Sequence, residues 1–225
     1  NTLHSMNQMI SSLTKKAKCN SYHIVLSGES CWRKNIPLPS QYKSIRIGVA
    51  KPINLKEAQK YLVDRHGAEI ASDEADELLA AYKHQAYKSG WYQPIATIDK
   101  DDISIPGWTF NWMEMEEPEF IDGLGELYIN DKDAVKGKGR LFLYFQMCVG
   151  DLADCFKPSE IAKAKFGEKS GYKLLKDCTT DKEAMEALVK QYKKWYPEPT
   201  WYQAWDGKKY QKNWLEIWQM YADCA

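Results

Sequence analysis

The chain has 225 residues, 44% of them hydrophobic and 28% charged, with Lys plus Arg and Asp plus Glu balanced at 31 each. That length supports a buried core, and the balance of charge gives no footing for a duplex-binding surface, so nucleic acid is not the expected partner. The longest apolar run, 141–149, falls well short of the roughly 18 residues of a membrane span and has the length of a buried strand, so no membrane span is expected.

In chain order, Leu3, Met6, Met9, Ile10 and Leu13 recur at helical spacing and predict an amphipathic helix over 3–18. Residues 22–27 read as a short strand, Gly28 supplies a turn, and Pro37 and Pro39 make 35–40 an extended connector. Ile45, Ile47 and Val49 alternate with Arg46 and Gly48, the period of a half-buried strand. Asn54 with Glu57 three positions later has the form of a capping box, and Gly67 is placed to end the helix it opens. A second helix is expected over 72–89. Asp73, Glu74, Asp76 and Glu77 fall in its first turns, where the helix dipole favours anions, and Leu78, Leu79, Tyr82 and Ala86 lie along one side.

From 91 to 149 the period becomes extended, with strands expected over 93–98, 108–113, 124–130 and 140–149. The loops between them are too short for crossover helices, so an antiparallel meander is the simplest connection. Its central strand is expected at 141–149, which is apolar on both sides. Pro158 and Ser159 open a short helix that Gly167 can end, and Tyr172, Leu174 and Leu175 mark a second short turn. Thr180 and Glu183 form a capping box for a helix whose stripe runs through Met185, Leu188, Val189, Tyr192 and Trp195 until Pro197 stops it. A last helix is expected over 210–222, presenting Trp214, Trp218 and Tyr221. Together these predict one α+β domain over 1–225, an antiparallel sheet of about four to six strands flanked by helices. A subdivision into a helix-and-strand segment 1–90, a meander 91–156 and a helical segment 157–225 is compatible with it.

Six cysteines fall into three pairs that are close in sequence or in expected structure: Cys19 with Cys31, Cys148 with Cys155, and Cys178 with Cys224. If the last two helices pack antiparallel, the start of the first lies beside the end of the second. Cys178 and Cys224 would then staple the hairpin, a cross-link worth roughly 4 kcal/mol in the chain-entropy model. Three disulfides imply a periplasmic or extracellular protein. The chain opens on Asn1 without an initiator Met or the features of a signal peptide, which fits a signal-cleavage product or a trimmed chain. It has no Asn-x-Ser/Thr acceptor, which weighs toward a bacterial envelope.

Within Gly28-Glu29-Ser30-Cys31-Trp32, the Cys-Trp pair is similar to the signature of papain-like proteases, whose thiolate needs a histidine from far downstream. The last histidine here is His84, so Cys31 reads as structural. Glu29-Ser30 resembles the Glu-Ser pair of the lytic transglycosylase and lysozyme group. The resemblance implies a buried glutamic acid that protonates a glycosidic oxygen, with Glu29 as general acid of a glycan- or peptidoglycan-cleaving hydrolase. That pair lies on a helix in the group, whereas 22–26 reads here as a strand.

His4, His23, His66 and His84 are scattered, and the acidic cluster Glu114, Glu116, Glu117 and Glu119 lacks the ligand spacing of a calcium loop, so no metal site is expected. Gly123-Leu124-Gly125 is too short for a dinucleotide fingerprint, and no cofactor is expected. The aromatic content stands out, with nine Trp and 14 Tyr. Trp201, Tyr202 and Trp205 lie outside the helical stripes, in a loop that Pro197 and Pro199 restrict. They serve either as a stacking or anchoring surface or as rings folded back over the hairpin core. The expected function is that of an exported, disulfide-bonded, non-enzymatic protein that binds a partner protein or a glycan through those rings. The Glu29 hydrolase is the alternative.

Overall fold

A computed structural model describes residues 2–225, and Asn1 lies outside the described residues. The described residues form a mixed α/β structure of seven α-helices and small sheets of two or three strands. They gather into two compact units that alternate along the chain, Asn1–Cys31 with Val49–Asp122, and Trp32–Gly48 with Gly123–Ala225. The balanced charge of the chain divides unevenly between them. The first unit carries ten Lys and Arg against 16 Asp and Glu, a net of −6, and the second 21 against 15, a net of +6.

In the first unit, α1 (Thr2–Lys16) is the expected amphipathic helix, with Lys15 and Lys16 in its last turn. β1 (Val25–Leu26) pairs in parallel with a strand that follows α2 (Leu55–His66), namely β2 (Glu69–Ile70). Gly67 ends α2 at φ +63, a left-handed cap that glycine adopts without a Cβ penalty. α3 (Ala75–Ser89) carries Asp76 and Glu77 in its first turn. Residues 27–31 are sewn to the chain just before α3. The Gly28 N–H donates to Asp73 O at 2.6 Å, the Ser30 hydroxyl reaches Ser72 O and Asp73 Oδ1 at 2.7 Å each, and the Cys31 thiol donates to Glu74 Oε2 at 3.3 Å. A three-stranded sheet completes the unit. β3 (Ile95–Ala96) runs parallel to β4 (Gly107–Phe110), and β5 (Glu119–Ile121) runs antiparallel to β4.

The second unit begins with Trp32–Gly48, which is tied down through Asp154. The Tyr42 hydroxyl donates to Asp154 Oδ2 at 2.8 Å and the Arg46 guanidinium to Oδ1 at 3.0 Å. β6 (Glu126–Ile129) and β7 (Val135–Lys138) form an antiparallel hairpin, closed by Asn130 Oδ1, which accepts from the backbone of Lys132 and Ala134. α4 (Arg140–Val149) follows, with seven of its residues buried. Around it pack α5 (Glu168–Leu175), α6 (Asp181–Trp195) and, after the hairpin β8 (Thr200–Gln203) and β9 (Lys209–Lys212), α7 (Trp214–Ala222). Both α6 and α7 open on complete capping boxes, Thr180 with Glu183 and Asn213 with Glu216. The Arg140 guanidinium clamps Asp181 through two bonds of 2.7 and 2.8 Å, and the Tyr144 hydroxyl donates to the same carboxylate at 2.9 Å. Arg140 holds the Asp181 carboxyl below its usual value, while burial, reinforced by Asp181, pushes the Tyr144 phenol up to about 12.

Several expectations are corrected, among them the Asn54–Glu57 capping box, in which Asn54 makes no side-chain cap bond, and the helix after Pro158, which is a run of turns. The four-to-six-strand meander does not form, because its intended centre is the helix α4. A run apolar on all sides fits a buried strand or a buried helix equally by periodicity. In 140–149 only Val149 is β-branched, and ten residues suit a helix. The strand expected at 45–49 is a 3-10 turn (Ser44–Arg46) followed by irregular chain, with Ile45, Ile47 and Val49 exposed; among the described residues no neighbouring strand satisfies that backbone.

The disulfides are also absent: among the described residues all six cysteines are thiols. Cys178 lies half-buried after α5, its thiol directed at Leu174 O, while Cys224 is buried at the end of α7, its thiol donating to Met220 O at 3.3 Å. Cys148 is buried and donates to Phe145 O at 3.2 Å, and Cys19 donates to Ala17 O at 3.4 Å. Local carbonyls, not partner sulfurs, take these thiols. The helices α6 and α7 are therefore held by packing and caps without a staple, and the basis for export through disulfides is removed. Among the described residues, no helix is long and apolar enough to cross a membrane.

Candidate functional site

The β8–β9 hairpin carries the aromatic residues picked out in the sequence. Asp206 begins its turn by accepting the Lys208 N–H at 3.0 Å, and Gly207 supplies the left-handed φ of +80 that the turn requires. The register pairs Trp201 with Gln211, Tyr202 with Tyr210, and Gln203 with Lys209. Because side chains alternate across a ribbon, this sorts the residues onto two faces.

The inner face is anchored. Tyr202 stacks on Tyr210 with ring centroids 6.0 Å apart, and its hydroxyl donates to Pro37 O at 2.8 Å. Burial, with Tyr210 and Asp206 nearby, pushes the Tyr202 phenol well above its ordinary range. Trp205, in the turn, is folded back on the segment before Tyr42. Its indole Nε1–H donates to Ile36 O at 3.0 Å and its backbone N–H to Leu38 O at 2.9 Å, leaving the residue 40% exposed.

The outer face presents Trp201, Gln203, Lys209 and Gln211, all exposed, with Trp201 at 63%. It offers one large ring, two amides and an ammonium, and no carboxylate. The three rings grouped in the sequence therefore separate into one anchor, one folded-back indole and one outward indole. They do not share one face, so the glycan-binding expectation, which rested on the three rings as one exposed cluster, loses its basis.

Glu29 lies exposed on a bend of the 27–31 segment. A general acid of the glycosidase type needs an apolar pocket that raises its pKa, and a solvated bend does not provide one. Of the acidic cluster, Glu117 pairs with Lys18 at 2.6 Å and is held below its usual range by that hydrogen bond, while Glu119 opens β5. Among the described residues, no group of three or more His, Cys, Asp or Glu side chains is placed to hold a metal ion.

A second feature, with no counterpart among the motifs of the sequence, is an open cleft of about 670 Å³ in the first unit, between α1, α2 and residues 19–22. His66, the last residue of α2, organises it. Its Nδ1 lies 2.8 Å from the Tyr22 hydroxyl and its Nε2 lies 2.9 Å from Asn7 Oδ1, while the Asn7 amide donates to the Tyr61 hydroxyl at 2.8 Å. The Tyr61 ring meets His66 edge-on at 5.5 Å. Asn7, Tyr22, Tyr61 and His66 come from three separate segments, so no local pattern announces them.

Comparison with family models, with curated proteins and with solved structures finds no match to the chain.

Proposed function

We propose that the protein is a non-enzymatic interaction component that engages an acidic segment of a partner protein through the outer face of the β8–β9 hairpin. The observation that carries this reading is Trp201, 63% exposed on a ribbon whose opposite face is hydrogen-bonded to its own unit. A Trp on a rigid support loses little conformational freedom on binding, and such residues are the usual energetic anchors of interfaces. Charge selects the class of partner: Lys209 stands beside the ring, the face has no carboxylate, and the surrounding unit carries a net +6.

Quantitative pull-down from the source organism tests the proposal, using wild type, Trp201→Ala and Lys209→Glu. A protein recovered by wild type should be lost with both variants and released by raised salt, while the melting temperature of each variant stays that of wild type. Identical recovery by all three sinks the reading, and capture abolished by nuclease treatment replaces the protein partner with a nucleic acid.

A further inference from the structure

The first unit is acidic, yet none of the eleven residues lining its cleft is Asp or Glu, and Lys15 and Arg65 both line it. The hydrogen-bond chain inside the cleft has a direction. Asn7 Oδ1 can only accept, so His66 Nε2 donates to it, while His66 Nδ1 faces the Tyr22 hydroxyl. The Asn7 amide donates to the Tyr61 oxygen, which leaves the Tyr61 hydroxyl hydrogen to donate onward. Ser11 and Asn20 add a hydroxyl and an amide to the lining, and Ile10 with the Tyr22 and Tyr61 rings supplies flat apolar surface. The cleft's size lies within the range of small-molecule sites.

We propose that this cleft binds a small aromatic anion, an organic phosphate or carboxylate whose ring lies against Ile10 and the two tyrosines while Arg65, Lys15 and the Tyr61 hydroxyl take its charged oxygens. Guanidinium forks suit both oxyanions bidentately, and charge-assisted bonds are the strong ones. The absence of any lining carboxylate selects against cations by the same logic. The site lies wholly in the first unit and is independent of the hairpin surface.

Calorimetric titration of the full chain with phenyl phosphate, benzoate and phenol tests it. At least one of the two anions binds and phenol does not. Arg65→Gln and Lys15→Gln each weaken that binding by about tenfold or more, in line with the loss of a charge-assisted contact. Tyr61→Phe weakens it less, and Trp201→Ala leaves it unchanged. Lys15 and Arg65 are exposed, so their variants keep the wild-type melting temperature. Failure of both anions to bind at millimolar concentration, or equal binding to the doubly substituted Lys15→Gln/Arg65→Gln protein, overturns the proposal.

Discussion

Lys83 donates to Asp102 twice, to Oδ2 at 2.8 Å and to the backbone carbonyl at 2.7 Å, and it does so fully buried. The Thr109 hydroxyl donates to the same carboxylate oxygen. Lys83 belongs to α3, Asp102 to the 3-10 turn Lys100–Ser104 and Thr109 to β4, so one ion pair joins three elements of the first unit. Burial pushes the Lys83 ammonium below its ordinary range, and Asp102 partly restores it. The unit's buried apolar side chains include the small Ala17, Ala68, Ala71 and Ala86 beside Ile95, Phe110 and Ile121, and the pair is buried among the same elements.

Removing one partner leaves a buried charge uncompensated. Lys83→Met is expected to destabilise the first unit by about 3–5 kcal/mol, while the double replacement Lys83→Met/Asp102→Leu recovers most of that loss. Urea unfolding followed by tryptophan fluorescence measures both, since Trp91, Trp108 and Trp112 lie in this unit. A loss below about 1 kcal/mol for the single variant contradicts the assignment.

The Arg140–Asp181 clamp joins α4 to the start of α6 and titrates. Arg140 holds the folded-state pKa of Asp181 below its ordinary 3.8. The unfolded chain therefore binds the proton first: the clamp's stabilisation is complete above pH 3.8 and is lost as pH falls through the lower folded-state value. Wild type should melt higher than Asp181→Asn at neutral pH, and the two melting curves should converge as pH falls below 3.8. Parallel curves across that range would remove the clamp's role.

Gly171 sits in α5 where helix propensity favours alanine by about 1 kcal/mol. Packing opposes it: a Cβ there falls inside contact with the Val149 side chain and 3.0 Å from Phe145 Cε2, both on α4. Overpacking of this kind costs about 1–3 kcal/mol, so Gly171→Ala is expected to destabilise. Gly167, the N-cap of α5, has nothing within 4 Å of its Cβ position, so Gly167→Ala meets no clash and should cost at most about 1 kcal/mol, the preference of an N-cap for glycine over alanine. Thermal unfolding of the pair separates tight helix packing from a general intolerance of side chains near α5.

The hairpin's two faces should separate in the same experiment. Tyr202→Phe deletes the hydroxyl that donates to Pro37 O and is expected to cost about 1 kcal/mol. Trp201→Ala touches only the outer face and should stay within about 0.5 kcal/mol of wild type. A large loss for Trp201→Ala would make the indole part of the core.

Features set by neighbouring residues were legible in the sequence. The Thr180–Glu183 box and the Gly67 cap form where the local pattern puts them, because both need only residues a few positions apart. The hairpin was legible and was missed: Asp206-Gly207 flanked by alternating residues is a ribbon signal, but Tyr210 shares a helical spacing with Trp214, Trp218 and Tyr221 and reads as their first turn. The Asn213–Glu216 box marks the true boundary. The direction in which a thiol points and the meeting of Asn7, Tyr22, Tyr61 and His66 depend on tertiary packing, and no window of sequence encodes them.

The six thiols carry the last prediction. Denatured without reductant, the chain should titrate all six cysteines with a thiol reagent, and a lower count would reveal a disulfide. In the folded protein the reaction should divide by burial. Cys148 and Cys224 are buried, and burial pushes the Cys148 thiol far above its ordinary range, so neither presents an accessible thiolate. Cys19, Cys31, Cys155 and Cys178 are only half-buried and should react first, with Cys19 and Cys178 slowed because burial raises their pKa as well. Tyr192 and Tyr221 pack in the same buried region as Cys224, so unmasking of the last two thiols should track the loss of the second unit's tertiary structure. Rapid labelling of Cys148 in the native protein would place α4 at the surface and contradict its position at the centre of that unit.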